Sequence, residues 1–361
     1  MSYTTIDKSS THFAQGKYSG NGATGRAINT GLDLSSGGLQ VVKEWSDDTG
    51  AWFVNDSERN SGTKYLQFES TSAGAVDTNV ITSLNNNGFT VGNDVDVNDS
   101  GDTYVHMGWK APTNSGASGY GLTLDSYKIN TTAKFGIYKY TGNGSAGAYI
   151  THGLGGTPAF ALVKKINGTT NWRVFHHKLG NTKHFVLNDI QGAYTDNSMW
   201  NNTSPDSTKF YFGTSSSVNG SGDEYIAYIW CEVKGFSKFG SQSCNNPVFV
   251  HTGFAPAFLS ARADVNNTGE YAYFADNPSR NFNRQGRTLF PASNAVNYDY
   301  GDADSVSFLS NGFYSKKGGS PFANSGGTFY YWCFAQAPLV GSNNVPCVAR
   351  WGKKLWVKQE I

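Results

Sequence analysis

Charged residues are scarce in this sequence, and neither sign of charge dominates. Asp, Glu, Lys and Arg make up 15% of the chain and the formal net charge is +1, whereas charged residues are about 25% of a typical soluble protein. A protein that binds nucleic acid needs a concentrated basic face to neutralise phosphates, but the Lys and Arg residues here are scattered. We therefore predict no nucleic-acid partner.

Long apolar runs and cysteines are also few. No stretch approaches the roughly 20 apolar residues of a membrane-spanning helix. The opening residues, MSYTTIDKSSTHFAQ, lack the apolar region of a secretory signal. Four cysteines among 361 residues are too few for a disulfide framework. We expect no membrane insertion, and synthesis and maturation in a reducing cytoplasm.

Glycine and aromatic residues are abundant: the chain has 43 Gly, and Phe, Trp and Tyr make up 14% of it. Many short stretches of Val, Ile, Tyr, Phe, Trp and Thr are bounded by Gly, Asn, Ser or Asp. Branched and aromatic side chains favour pleated strands, and Gly and Asn favour tight turns. This pattern predicts an all-β fold.

One short pattern occurs three times. Residues 218–232 read VNGSGDEYIAYIWCE, residues 97–110 read VNDSGDTYVHMGWK, and residues 322–336 read FANSGGTFYYWCFAQ. Other landmarks recur in the same order, such as YSGNG and YTGNG, and the apolar segments that end at Lys43 and Lys164. Self-similarity of this kind indicates repeated structural units. We predict three tandem antiparallel repeats, each a β-sandwich or jelly roll.

Shifts in composition set the predicted boundaries. We assign the first β-sandwich repeat to residues 1–112, a Gly/Ser/Thr-rich linker to 113–134, the second repeat to 135–240, the third repeat to 241–338 and a C-terminal docking tail to 339–361. The tail contains apolar residues that suit docking on another surface: Trp351, Leu355, Trp356 and Val357.

The closing strand of the second repeat has two apolar faces. Alternation places Tyr225, Ala227, Ile229 and Cys231 on one face, and Ile226, Tyr228 and Trp230 on the other. A strand that is apolar on both faces is buried on both, so we predict a central strand rather than an edge strand.

These motifs resemble a tandem-repeat, lectin-like (concanavalin A-like) domain of virion proteins of tailed bacteriophages, particularly marine ones. The resemblance is carried by MSYTTIDKSSTHF, YSGNG, YTGNG, ITHGLGGTPAFALVKK, SGDTYVHMGWKA and SGDEYIAYIWCEVKGFSKFG. It covers roughly residues 1–240, and the third repeat more loosely, since residues 276–280 keep only part of the family's hairpin.

The resemblance implies a structural or adhesive component of a phage particle, of the tail-fibre or tail-associated type. Such a protein is assembled in the host cytoplasm, is located in the virion, and contacts other virion proteins and copies of itself. The family offers no catalytic residues to carry over, and we predict a non-enzymatic protein without a cofactor. A head-decoration, head-fibre or collar protein without host contact and a polysaccharide-degrading enzyme are the alternatives.

Two acidic patterns could indicate a calcium site or a pair of catalytic carboxylates, but a structural role explains both better. Asp94, Asp96 and Asn98 alternate as in a calcium loop, but the Gly is displaced and the other copies lack the acidic run. Asp223 and Glu224 are adjacent and therefore point to opposite faces of a strand, whereas a glycosidase needs two carboxylates that converge across a cleft. Neither residue type is kept in all three copies, so we predict neither a metal site nor a hydrolase.

Histidines and cysteines leave one question open. No metal-binding spacing links His152, His176, His177 and His251, so packing explains them better. Cys231 and Cys333 share one strand position, and Cys244 and Cys347 follow them at similar distances. This spacing allows a repeated pairing within each copy, but buried free thiols are the favoured interpretation.

Carbohydrate binding is the function that the loops suggest. Sugar sites combine an exposed aromatic face with Asn, Asp and Gly groups that hydrogen-bond hydroxyls. Trp200 lies in the polar loop TDNSMWNNTSPDS, near Asp196, Asn201 and Asn202, and these four residues are our candidate site for a host-surface carbohydrate. In the alternative, which we favour, Trp200 packs over the edge of its own repeat or against a neighbouring subunit. Any site is expected in loops that differ between the copies.

Overall fold

The computed structural model describes residues 3–46, 50–59, 63–244, 247–264, 273–276, 287–289, 291–292, 298–299, 306–315, 327–341 and 343. Regular structure there is almost entirely antiparallel β-sheet, which confirms the predicted fold class. Helical structure in these residues is confined to a 3-10 turn at Ser9–Thr11 and a single-turn helix, α1, at Val95–Asn98. The apolar residues of the C-terminal tail and Cys347 lie outside the described residues.

The first pair of sheets is formed by nine strands. They are β1 (Phe13–Ser19), β2 (Arg26–Asn29), β3 (Gly38–Glu44), β4 (Trp52–Asp56), β5 (Lys64–Gln67), β6 (Ala75–Val76), β7 (Ile81–Asn85), β8 (Gly88–Val91) and β9 (Thr103–Lys110). The large sheet has the order β1-β9-β3-β4-β5-β6 and the small sheet the order β2-β8-β7. We call this pair the first sandwich.

The second sandwich follows the same plan with ten strands. They are β10 (Ser118–Tyr120), β11 (Thr123–Asn130), β12 (Phe135–Thr141), β13 (Ala148–Thr151), β14 (Pro158–Lys165), β15 (Arg173–His176), β16 (Lys183–Val186), β17 (Tyr194–Thr195), β18 (Lys209–Phe212) and β19 (Glu224–Cys231). Its large sheet is ordered β11-β12-β19-β14-β15-β16-β17 and its small sheet β10-β13-β18.

The third sandwich has nine strands in the described residues. Its strands are β20 (Ser237–Ser243), β21 (Val248–His251), β22 (Phe254–Ala263), β23 (Tyr273–Asp276), β24 (Arg287–Thr288), β25 (Tyr298–Asp299), β26 (Val306–Leu309), β27 (Gly312–Ser315) and β28 (Thr328–Pro338). The large sheet is β20-β28-β22-β23 and the small sheet β21-β27-β26, while β24 and β25 pair with each other.

Two of the predicted boundaries are wrong. Residues 113–134 do not form a linker, because they contain β10 and β11, and β11 pairs with β12 along its length. The Gly/Ser/Thr-rich composition is typical of loops, but Ile129 and Leu122 of this segment are buried in the core of the second sandwich. The boundary at residue 240 cuts through β20, which pairs with β28 and belongs to the third sandwich.

The closing strands lie at the centre of their sheets, as predicted for the second one. β9 lies between β1 and β3, β19 between β12 and β14, and β28 between β20 and β22. Tyr225 and Ile229 of β19 point into the core of the second sandwich. Tyr228 and Trp230 point to the opposite face of the strand and belong to a different core.

That different core is shared by all three sandwiches, and we call it the central core. It joins the outward faces of the three large sheets, with Trp109, Trp230 and Trp332 among its members. The Phe160 and Trp332 rings stack with centroids 4.4 Å apart, and the Trp109 and Trp230 rings meet edge to face at 5.8 Å. Each large sheet thus separates two cores, and this explains why both faces of each closing strand are apolar.

Buried polar groups also connect the sandwiches. Asp56 Oδ2, in the first sandwich, accepts hydrogen bonds from Arg59 Nε and from the Tyr228 hydroxyl of the second, each at 2.6 Å. His176 Nε2, in the second, lies 3.2 Å from the carbonyl oxygen of Tyr331 in the third. Because both groups are buried, they fix the relative position of the sandwiches as well as contributing to stability.

The buried histidines make the fold sensitive to acid. Burial lowers the pKa of His176 to about 3 and that of His106 to about 4, from an ordinary value of 6.5. Burial also raises the pKa of Glu69 to about 7, from 4.5. Between pH 6.5 and 4.5 the unfolded chain therefore binds two protons at these histidines that the folded chain does not, and the folded chain binds one more at Glu69. The histidines outnumber the carboxyl, so these groups lower the stability of the fold as the pH falls through this interval.

The His176→Gln variant tests this linkage. As the pH falls across this interval, the free energy of unfolding should decrease for both proteins. The decrease per pH unit should be about 1.4 kcal/mol smaller for the variant than for the wild type. Urea unfolding at pH 6.5, 5.5 and 4.5 measures the difference, and His251→Gln, at an exposed position, is the control. Parallel curves for wild type and His176→Gln would show that His176 does not carry the effect.

Candidate functional site

Trp200 is not an exposed aromatic platform. Its side chain is 1% exposed, its Nε1 donates to the Lys183 carbonyl oxygen at 3.1 Å, and its ring meets those of Phe175 and Phe210 edge to face, each at 5.7 Å. The carbohydrate prediction required an exposed Trp200, and that part of it is wrong. The ring packs inside its own sandwich because the loop that carries it folds over the gap between the two sheets.

Asn201 and Asn202 shape the turn that follows Trp200. Both residues have left-handed backbone conformations, with φ of 55° and 47°, which Asn adopts more readily than most residues. Asn201 Nδ2 donates to Thr203 Oγ1 at 3.2 Å. These two residues therefore serve the turn that buries Trp200.

Asp196 lies in a cleft, which we call the β15–β17 cleft. Its volume is about 350 Å³, within the range of about 300–1,000 Å³ that small-ligand sites occupy. Its lining consists of Asn171, Arg173, His184, Val186, Asp189, Tyr194, Thr195, Asp196 and Met199. Most of these side chains are polar, and they come from three neighbouring strands and the loops that join them.

Arg173 and His184 form the wall of the cleft on β15 and β16. Arg173 Nη1 lies 3.1 Å from His184 Nε2, and Arg173 Nη2 donates to Ser217 Oγ. Because a guanidinium can only donate, His184 Nε2 must accept, which places the imidazole proton on Nδ1. His184 Nδ1 and Arg173 Nε are buried without hydrogen-bond partners in the described part of the chain.

Tyr194 provides an oriented aromatic surface at the cleft. Its ring stacks on the imidazole of His184 with centroids 5.6 Å apart and planes 19° apart. Its hydroxyl donates to Asp189 Oδ2 at 2.6 Å, yet the residue is 39% exposed. The ring is therefore held on one side and at its hydroxyl while part of it stays accessible to a ligand.

Both carboxyls of the cleft are ionised at neutral pH. Burial would raise the pKa of Asp189, but hydrogen bonds from Tyr194, Ile190 and Gln191 outweigh burial and lower it. Burial likewise opposes the lowered pKa of Asp196, which hydrogen bonds from the hydroxyl and backbone N–H of Ser198 produce. Asp196 uses Oδ1 for both bonds.

His184 is neutral in the same range of pH. Burial and the charge of Arg173 lower the pKa of His184 to about 4. At neutral pH the cleft therefore presents a cationic guanidinium, two carboxylates, a neutral imidazole and an aromatic ring.

The first sandwich builds the same scaffold with a different lining. β4, β5 and β6 pair in the register of β15, β16 and β17, which places Phe53, Tyr65 and Ala75 at the positions of Arg173, His184 and Tyr194. Phe53 and Tyr65 pack edge to face at 5.0 Å. Asp77 accepts from Asn79 N as Asp196 accepts from Ser198 N, so the turn is kept while the cleft residues are not.

Of the cleft residues, the sequence had singled out only Asp196. Arg173, His184, Asp189 and Tyr194 are spread over two hairpins and form no motif. The signal that could have found them is a position-by-position comparison of the copies, in which polar residues replace Phe53, Tyr65 and Ala75. The corresponding side chains of the third sandwich lie outside the described residues.

Other candidate residues have structural partners. Asp223 pairs with Lys165 at 2.7 Å and Glu224 with Lys139 at 3.4 Å. Asp94 caps helix α1 by accepting from Asp96 N, and Asn98 Nδ2 donates to the Gly92 carbonyl oxygen. The residues described contain no group of three or more His, Cys, Asp or Glu side chains that could hold a metal ion.

A pairing between Cys231 and Cys244 is excluded. Both are buried, as is Cys333, and they lie in different cores: Cys231 in that of the second sandwich and Cys244 in that of the third. Burial raises the pKa of the Cys231 thiol to about 12, so it is an unreactive packing group.

Comparison with known proteins gives one match. A family model described as a domain of unknown function matches residues 8–338. Neither the curated proteins nor the solved structures contain a match. No helix among the described residues is long and apolar enough to cross a membrane.

Proposed function

The chain belongs to the DUF7483 family, and from the geometry of its cleft we propose that it is a carbohydrate-binding protein without enzymatic activity. The binding site is the β15–β17 cleft of the second sandwich, and the ligand is a neutral, hydroxyl-rich sugar unit. The observation that carries the proposal is Tyr194, a partly exposed ring held by His184 and Asp189 in a polar cleft, whereas the first sandwich has Ala75 at the position of Tyr194.

The chemistry of the cleft suits a neutral sugar. The C–H groups of a sugar ring can pack on the accessible part of the Tyr194 ring, because an aromatic ring is apolar on its faces. Asp196 Oδ2 makes no hydrogen bond to the described residues and can accept one from a sugar hydroxyl. Two carboxylates at the same cleft disfavour a ligand that carries its own negative charge.

The carboxylates support binding more than hydrolysis. Glycosidases need one carboxyl that keeps its proton and donates it to the leaving group. Hydrogen bonds lower the pKa values of both Asp189 and Asp196, so neither carboxyl is suited to be that acid at neutral pH. The polysaccharide-degrading alternative therefore has less physical support than binding.

The biological setting rests on the resemblance to tandem-repeat virion proteins. In that setting the chain is a tail-fibre or tail-associated component of a phage particle, it associates with other virion proteins and with copies of itself, and its cleft contacts a host glycan. A head-decoration or collar role without host contact is the rival, and it gives no reason for a partly exposed, oriented Tyr194 ring where the first sandwich has Ala75.

The chain is built, we infer, from three copies of one unit. Support comes from the strand orders, in which the closing strand lies between β1 and β3, between β12 and β14, and between β20 and β22. Trp109, Trp230 and Trp332 occupy corresponding positions on those closing strands, opposite Phe13, Phe135 and Phe239.

A glycan array followed by calorimetry tests the proposed function. We expect the folded protein to bind at least one methyl glycoside of a neutral hexose, with a Kd near 1 mM, or about −4 kcal/mol. Tyr194→Ala is expected to weaken this binding about tenfold or more, since the stacking surface is lost. Tyr120→Ala is the control, because Tyr120 is 63% exposed but does not line the cleft. Equal binding by Tyr194→Ala, or no binding by the wild type, would contradict the proposal.

A further inference from the structure

The loop that presents Tyr194 is held from outside its own sandwich. Residues 187–193 join β16 to β17 and carry Asp189. Within the loop, Asp189 Oδ1 accepts from the backbone N–H groups of Ile190 and Gln191. The remaining contacts described below come from Arg262 of β22 in the third sandwich and from Asp264, which directly follows that strand.

Arg262 of β22 forms hydrogen bonds at two points, one directly before this loop and one within it. Its side chain is 2% exposed, and its guanidinium donates to the carbonyl oxygens of Val186 and Gln191. The guanidinium carbon lies 5.1 Å from the centre of the Phe185 ring. In the second sandwich the corresponding residue is Leu162, so a buried charge has taken the place of an apolar side chain where the third sandwich meets the loop.

Asp264 holds the last residue of the loop. Its Oδ1 accepts from Ala193 N at 2.8 Å, directly before Tyr194, and its Oδ2 lies 3.5 Å from Lys183 Nζ. Lys183 belongs to β16, next to His184, on which Tyr194 stacks. Asp264 therefore contacts the residue directly before each member of the stacked pair, Ala193 before Tyr194 and Lys183 before His184.

We infer that Arg262 and Asp264 are positioning residues for the β15–β17 cleft, so that the third sandwich sets the geometry with which the second binds its ligand. The inference rests on the proposed function for the identity of the ligand. Neither residue lines the cleft. Because they act through the loop, ligand binding at the cleft and docking of the third sandwich stabilise each other.

The first and second sandwiches provide a matched comparison. Lys164 occupies the position of Asp264 one sandwich earlier, and its Nζ donates to the Thr71 carbonyl oxygen at 2.7 Å. Gly74 N donates to the Ile166 carbonyl oxygen at 3.2 Å. The corresponding loop of the first sandwich is thus held in the same manner but lies beside the apolar Phe53 and Tyr65 pair.

Hydrogen exchange on the whole chain, without ligand, tests the positioning directly. We expect Asp264→Ala to speed amide exchange of residues 190–194 about tenfold, as expected for loss of one buried hydrogen bond. Asp264→Asn keeps an oxygen that accepts from Ala193 N, so its exchange should stay within about twofold of the wild type. Lys164→Ala, the control, should speed exchange at residues 71–74 and leave residues 190–194 unchanged.

Affinity for the methyl glycosides of neutral hexoses is the second readout. We expect Asp264→Ala to weaken it about tenfold and Asp264→Asn to preserve it. Unchanged exchange in Asp264→Ala, or equal effects of Ala and Asn, would overturn the inference. Absence of binding by the wild type would contradict the proposed function alone, since the exchange measurement needs no ligand.

Discussion

Replacing Asp56 by alanine is expected to lower the free energy of unfolding by about 3–5 kcal/mol. Asp56 is fully buried between the first and second sandwiches, where its Oδ2 binds Arg59 and the Tyr228 hydroxyl. Without the carboxylate the guanidinium stays buried with no opposite charge, and the desolvation penalty of that ion is no longer offset. Urea unfolding measures the loss.

The cause of this loss can be separated from the burial of Asp56 itself. Removing both charges, in Asp56→Leu with Arg59→Met, should recover most of the lost stability, because the penalty belongs to the unpaired ion. Glu224→Ala is the control, since it breaks the partly exposed pair with Lys139 and should cost less than about 1 kcal/mol. A loss below 1 kcal/mol in Asp56→Ala would show that the pair does not join the sandwiches.

Replacing Trp230 by alanine is expected to cost a further large amount, about 3–5 kcal/mol. Trp230 stacks on Phe135 at 4.8 Å and contacts Trp109 of the first sandwich and Phe334 of the third. The central core already contains a cavity of about 20 Å³ at this point. Truncation enlarges it in a place where three rigid sheets meet and cannot all move inward.

The effect of Trp230→Ala on hydrogen exchange should extend to more strands than the effect of other core truncations. Hydrogen exchange should rise in β9 and β28 as well as in β19, because all three closing strands contribute to the central core. Trp200→Ala is the matched control: it removes a buried Trp from the core of the second sandwich, so its effect should stay within that sandwich. A response of β19 alone in Trp230→Ala would contradict the role of the central core.

The all-β class and the central position of the closing strand could be predicted from the sequence because both are local patterns. The alternation from Tyr225 to Cys231 shows two apolar faces whatever covers them. What covers the second face could not be predicted, since the central core is formed by side chains from three distant parts of the chain.

The errors share a physical cause. Residues 113–134 have a loop-like composition, but pairing of β11 with β12 supplies the hydrogen bonds that make them strands. Trp200 has polar neighbours in sequence, but in space it meets Phe175 and Phe210. In both cases tertiary contacts override local composition.

The residues of the cleft could not be predicted from sequence motifs for the same reason. Arg173, His184 and Tyr194 meet only because β15, β16 and β17 pair in one register. Thr195, Asp196 and Met199 lay within the loop that the sequence marked, but of these only Asp196 was a candidate site residue. A polar residue at a position that is apolar in another copy is the general signal that such a site leaves.

The meeting of Trp109, Trp230 and Trp332 in one core limits how the three sandwiches can change in sequence. A change of volume at one of these positions must be accommodated by side chains of the other two sandwiches, because they share the same space. Residues of the β15–β17 cleft are less constrained, since they contact their own sandwich and one neighbouring strand. Natural variants of this chain should therefore change together at the three tryptophans and independently at the cleft, which leaves the loops of each sandwich free to acquire a different ligand.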